Sequence, residues 1–329
     1  MIWIKQEVSN AVVTNFYLET IGAALLANGH EVTYTSSVDQ IHPKCDDTIL
    51  VATATSALKL YPKCKNMIYW AQGIWPEESY MRNKSKLRFI VTGALEKWVL
   101  EKSKFVFFVS NSMKAFYEKK YGLNFDDRCY IMPCSNENLH SETFSAPGKY
   151  ENNIFCYAGS TSVWQCFEQT IALYKKIEEK HPDSKLLLLV RDREAALEYI
   201  KKYNVQNYEI NFVPVEELPR LLKDVKFGFV LREPSPVNSV ATPTKILTYL
   251  ANGIIPIYST CLDGIHEILQ NSNYCIPYGN NGNLDTIEQL MAEPPVPPEV
   301  LRDYEAVYKE YYARETHIER IRKVLGNIT

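Results

Sequence analysis

The 329-residue chain has no apolar run approaching the ~20 residues that a membrane-spanning helix needs. Its opening, MIWIKQEV, reads as a strand rather than as a secretory leader. Eight cysteines (45, 64, 129, 134, 156, 166, 261 and 275) include no Cys-x-x-Cys pair and have no histidines at zinc spacing. Buried free thiols in a reducing compartment are the expectation, and with them a cytoplasmic protein. Charge of one sign is also missing: 36 basic against 39 acidic residues leave a net −3. No global field therefore favours nucleic acid as a partner. The chain carries no Gly-x-Gly-x-x-Gly, no Walker-type loop and no Asp-x-Asp, which counts against dehydrogenase, kinase and metal-dependent transferase chemistry. No repeat of solenoid period is visible.

Present instead is an alternation of short apolar strands with helical patterns, the signature of parallel α/β layers. At 46% hydrophobic, the chain has material for two medium-sized cores. Strands are predicted at 2–5, 30–35, 48–52, 66–70, 105–109 and 129–133. A second series follows at 153–158, 185–190, 208–213, 225–230, 254–257 and 274–277. Residues 134–152 are polar and broken by Pro147-Gly148, so the linker falls there. The division expected is 1–137, 138–305, and a terminal helix at 306–329. One continuous helix is predicted over Val300–Leu325. Lys84–Lys104 reads as a basic amphipathic helix, either a solvated face or a contact for an anionic membrane surface on the inner side.

Three loops concentrate polar chemistry. After the fourth strand, AQGIWPEES packs Gln72, Gly73, Trp75, Glu77 and Glu78 together, although Pro76 followed by two acids is also an ordinary helix start. After Ala158, Gly159-Ser160 forms a glycine–hydroxyl turn between strand and helix, a plausible phosphate loop. Leu231–Ile257 is one βαβ unit: a polar loop over 233–244, a helix over 245–251 stopped by Asn252-Gly253, and a new strand. Thr242 or Thr244 is placed to cap that helix, while Arg232 and Lys245 add charge suited to a diphosphate.

The segment VNSVATPTKILTYLANGIIPIYS resembles the donor-site segment of glycosyltransferase family 4. Pro243, Lys245, Tyr249, Leu250, Ala251, Gly253 and Pro256 match its pattern; FFVSNSMKAFYEKKYG and the Tyr157–Ser160 turn resemble it more loosely. The two glutamates usual in that family fall on Val240 and Thr248 here. The resemblance implies the GT-B architecture, two Rossmann-like domains facing across a cleft, the first for the acceptor and the second for the donor, with the terminal helix at 306–329 returning to the first domain. It implies sugar transfer from a nucleotide-diphosphate sugar to a glycan or lipid-linked acceptor in surface polysaccharide or glycan synthesis. Retention of configuration, no bound metal and no further cofactor are implied with it. Catalytic candidates are Gln72, Glu77, Arg232 and Lys245. Donor candidates are Gly159, Ser160, Arg191, Val213, Asn238, Val240, Ala241, Thr242, Thr244 and Thr248. Acceptor candidates are Asn10, Gly73, Trp75 and Glu78. A non-catalytic sugar-binding subunit and a nucleotide-sugar epimerase stay open as alternatives.

Overall fold

The computed structural model describes residues 1–6, 12–135, 137–161, 165–214, 217–279 and 284–326. By their contacts they form two compact units: Met1–Asn136 with Ser239–Thr242 and Lys309–Thr329, and Glu137–Asn238 with Pro243–Tyr308.

The first unit holds β1 (Ile2–Lys5), β2 (Val32–Thr35), β3 (Thr48–Val51), β4 (Met67–Ala71), β5 (Phe105–Phe108) and β6 (Cys129–Ile131). All neighbours pair in parallel, in the order β2-β1-β3-β4-β5-β6. Central β4 and β5 are buried along their whole length, which is why they read as unbroken apolar runs rather than alternating ones. Helix Asn111–Tyr121 starts where Ser110 Oγ accepts from Met113 N–H and stops at left-handed Gly122, φ 66°. The helix Arg314–Leu325 packs on Val12–Ala27, where Asn28 Nδ2 donates to Arg322 O at 2.9 Å.

The second unit holds β7 (Ile154–Ala158), β8 (Lys185–Leu189), β9 (Tyr208–Asn211), β10 (Phe227–Val230), β11 (Ile255–Ser259) and β12 (Ile276–Tyr278). The parallel order is β12-β11-β10-β7-β8-β9. From β7 the chain steps outward to β9 and then crosses back to the opposite side of β7 for β10. The crevice at which the strand order reverses therefore lies between the ends of β7 and β10, where open parallel sheets bind ligands. Tyr249, fully buried, staples this point. Its hydroxyl accepts from Ala158 N–H at 3.1 Å and donates toward Phe229 O at 3.4 Å. Its ring lies so close to β10 that a Cβ on Gly228 would come within 2.5 Å of it, so only glycine fits there.

Two predicted elements differ. The terminal helix is two, Pro297–Tyr311 and Arg314–Leu325, with no glycine or proline at the break. Tyr312 is buried there and Ala313 is extended, so packing ends the first helix rather than a breaker residue. The basic helix expected over Lys84–Lys104 is present as Lys86–Lys102, capped by Ser85 and set off from Trp75–Asn83 by left-handed Lys84 (φ 52°). The 233–244 loop includes a short helix, Pro236–Val240. Cys45 is exposed, unlike the buried thiols expected. Among the described residues no helix is long and apolar enough to cross a membrane.

Candidate functional site

The second unit opens a cavity of about 440 Å³ at the strand ends just described. Ala158 and Gly159 reach it from β7, Leu189 from β8, Phe212 and Val213 from β9, and Arg232 from β10. The first helical turn after Pro243 adds Thr244, Lys245 and Thr248. Its defining feature is two basic side chains, Arg232 buried and Lys245 half-buried, with no carboxylate among the described lining residues. Arg232 is 8% exposed. Its Nη2 donates to Gln165 Oε1 at 2.7 Å, and Lys245 Nζ donates to the same oxygen at 3.3 Å. Lys245 Nζ also sits 3.8 Å from the centre of the Tyr157 ring. Neither cation forms an ion pair among the described residues.

Burial, and then the neighbouring Arg232 charge, hold the Lys245 amine well below the usual lysine range. Burial likewise lowers Arg232. Uncompensated buried charge of this kind destabilises a fold and is relieved by a ligand of opposite sign. Gly159 gives that ligand access. Its φ of 146° belongs to glycine, and a Cβ there would lie 3.0 Å from Lys245 Nζ. Phe212, 63% exposed, supplies a flat apolar wall beside Val213 and Leu218.

The first unit has its own cavity, about 330 Å³, lined by Ala52–Thr55 after β3 and by Tyr69, Gln72, Gly73, Trp75 and Glu78 on β4 and the loop and helix after it. Gln72 ties the two loops together: its Nε2 donates to Ala52 O at 3.2 Å and its Oε1 accepts from Thr14 at 3.3 Å. The Glu78 carboxylate folds over Gly73 so tightly that a Cβ at 73 would lie 2.0 Å from Oε1. Burial raises the Glu78 pKa, against the lowering effect of Arg82.

Behind this loop sits Glu96, 2% exposed on Lys86–Lys102. It accepts from Trp75 N–H at 2.9 Å, Tyr117 at 3.0 Å, Tyr121 at 2.6 Å and Lys120 at 3.3 Å. Lys120 also pairs with Glu77 at 2.8 Å. That pairing spends Glu77 on holding the loop, and Glu77 is not among the cavity's lining residues.

Of the residues singled out from the sequence, Gly159, Val213, Arg232, Thr244, Lys245 and Thr248 meet around one cavity, and Gln72, Gly73, Trp75 and Glu78 around the other. Asn238, Val240, Ala241 and Thr242 line neither. Asn238 Nδ2 donates to Glu233 O at 2.7 Å, and Val240 O accepts from Ser110 Oγ at 2.8 Å. Arg191 lies against the Phe212 ring at 5.7 Å, and Ser160 is exposed with its carbonyl taken by Tyr157. The expected threonine cap is absent: Pro243 holds the N-cap position of Thr244–Ala251 with no side-chain bond. Proline's fixed φ presets the turn without a hydroxyl. Asn10 lies outside the described residues. Gln165 and Glu96 carried no signal in the sequence, one being a lone amide after a turn and the other an acid inside a basic helix.

No protein family's sequence profile matches the chain, and no curated protein matches it either. Solved structures do. The sucrose-phosphate synthase of Thermosynechococcus elongatus superposes with a TM-score of 0.70 at 14% identity, covering 99% of this chain and 98% of that one. Anabaena HepE, in complex with UDP and glucose, gives 0.69 at 12% identity, covering 98% of each. TarM from S. aureus, in a complex that includes UDP, gives 0.59 at 12% identity over 85% of this chain, which spans only 55% of that protein. The two six-stranded parallel α/β domains of this chain have the fold of the GT-B glycosyltransferases.

Proposed function

We propose that the protein transfers a sugar from a nucleotide-diphosphate sugar to a glycan or lipid-linked acceptor, as a member of glycosyltransferase family 4 acting in surface polysaccharide or glycan synthesis. The observation that carries this reading is the pair of basic side chains, buried Arg232 and half-buried Lys245, sharing one amide oxygen and, among the described residues, no carboxylate where the second sheet reverses its strand order. A diphosphate supplies the missing charge. The solved structures of similar fold that hold UDP point the same way.

In this reading the diphosphate takes the place of Gln165 Oε1 between Arg232 and Lys245, with the chain at Gly159 open beside it. The base lies on the apolar wall of Phe212, Val213 and Leu218, and the sugar extends toward Thr248. As the glycosidic bond to phosphate breaks, negative charge grows on the leaving oxygen. The two cations stabilise that charge, each such contact contributing ~3–4 kcal/mol to barrier lowering. Retention of configuration and independence of metal belong to the same proposal. Gln72, Gly73, Trp75 and Glu78 would receive the acceptor hydroxyl, with Glu77 positioning their loop through Lys120.

A panel of nucleoside diphosphates and their sugars in a thermal-shift assay tests the donor site. A native-state ligand at 100 times its Kd adds about 2.7 kcal/mol of stability. Turnover then tests the reaction: free nucleoside diphosphate released from the sugar donor, undiminished by a chelator, is the expected result. A second reading rests on one observation, that no carboxylate is among the described residues lining the second-unit cavity. A sugar-binding subunit without turnover would bind the same ligands and release nothing; epimerisation would change the sugar and release nothing.

A further inference from the structure

The first unit carries a surface that the proposed chemistry leaves unused. Helix Lys86–Lys102 buries Thr92, Glu96, Val99 and Leu100, yet its first turns stand open. Leu87 is 74% exposed, Ile90 66% and Val91 50%, with Ala94 exposed as well. Their spacing of i, i+3, i+4 and i+7 puts all four on one helical stripe. Single exposed apolar residues are ordinary, whereas a contiguous stripe marks an interaction surface.

Its borders are cationic. Lys84, Lys86 and Arg88 are exposed around it, and the sequence from Arg82 to Leu95 contains no aspartate or glutamate. Arg82 is engaged with Glu78 at 3.4 Å, and Lys84 lies 5.9 Å from the Tyr80 ring, leaving Lys86 and Arg88 directed to solvent. An apolar stripe hemmed by cations complements acyl chains beneath anionic headgroups. We propose that this face docks on an anionic lipid bilayer, with Leu87, Ile90 and Val91 entering the headgroup boundary and Lys84, Lys86 and Arg88 meeting lipid phosphates.

The proposal rests on the sugar-transfer reading for its consequence, which is the acceptor class. Trp75 lines the first-unit cavity, and its N–H is held by Glu96 of this same helix. Docking therefore fixes that cavity at the membrane surface, where an acceptor hydroxyl on a lipid-linked glycan or a lipid headgroup is presented.

The test is co-sedimentation of the full chain with vesicles of phosphatidylglycerol and phosphatidylcholine, against phosphatidylcholine alone. Binding should require the anionic lipid and fall with added salt. Each change among Lys84→Gln, Lys86→Gln and Arg88→Gln should weaken it about five-fold. The triple variant Leu87→Ser, Ile90→Ser, Val91→Ser should weaken it by more than about ten-fold while the protein stays folded with a small drop in melting temperature, because half or more of each side chain is already in water. Nucleoside diphosphate binding should also survive in that variant, so loss of donor binding in the wild type would fail the sugar-transfer reading without touching this one. No sedimentation on anionic vesicles, or equal sedimentation of the triple variant, overturns the proposal. So does a dimer that the triple variant dissolves, since that assigns the stripe to a second copy.

Discussion

The two units solve the same architectural problem and leave opposite charge at their strand ends. In the first, Glu96 is buried but surrounded by Trp75 N–H, Tyr117, Tyr121 and Lys120, and the network stiffens the loop that lines the cavity. In the second, buried Arg232 and half-buried Lys245 share the Gln165 amide oxygen and form no ion pair among the described residues. A satisfied polar network stabilises and specifies local structure, whereas an unsatisfied pair of like charges holds a site open for a ligand. The fold is shared; what differs is whether the buried charge finds its partner inside the chain.

That contrast can be broken from either side. The largest expected effect is at Glu96→Ala, which strands four donors and should cost about 3 kcal/mol, read as a lower denaturation midpoint at unchanged slope. Lys245→Met should act in the opposite sense on the ligand-free protein. The lysine pKa is depressed in the folded state, so charging it costs stability as pH falls, and its removal should raise the melting temperature. The same change should weaken nucleoside diphosphate binding about 100-fold by calorimetry, the loss of one charge-assisted contact in a dry site. A variant that loses both stability and binding would erase the distinction between the units.

The pH response sharpens the comparison further. In the second unit, burial pushes Lys149 down to about 7 while its Nζ donates to Leu222 O and Lys223 O near Asp224. Above pH ~7 the unfolded chain holds the proton that the folded chain has lost, so stability from this group rises with pH by up to ~1.4 kcal/mol per unit. In the first unit burial raises Glu96 and Glu78, and their contribution is lost as pH rises through those raised values. Lys149→Met should flatten the alkaline rise in denaturation curves; an unaltered slope counts against this assignment. The smallest effect expected is at Gln165→Glu. A carboxylate between the two cations should raise the ligand-free melting temperature and weaken diphosphate binding about five-fold, by occupying the place of the ligand's own charge.

Much of this could be read in the residues. The βαβ unit over 225–257 follows from an apolar run, a Pro-broken loop, a short helix and Asn252-Gly253, and the residues picked from it, Arg232, Lys245 and Thr248, do line one cavity. Tyr249 matched a pattern before it had a role; the structure shows it closing β7 onto β10. Other features gave no local sign. The break after Tyr311 lacks a breaker residue, and the helix at Thr244 lacks the threonine cap that composition invited. Glu77 was legible as an acid in the right loop, but its pairing with Lys120, 43 residues away, was not.

The sequence by itself determined the layered α/β plan, the strand sites and the loops that carry charge, because periodicity and turn chemistry act over a few neighbouring residues. Only the tertiary structure decided which of those charges are neutralised. That outcome depends on burial and on partners distant in the chain: Glu96 gained four donors, while Arg232 and Lys245 gained neutral partners, the Gln165 amide shared by both and Leu231 O for Arg232. Solvation and pairing energies are set by the assembled surroundings of a group, and no local pattern encodes them.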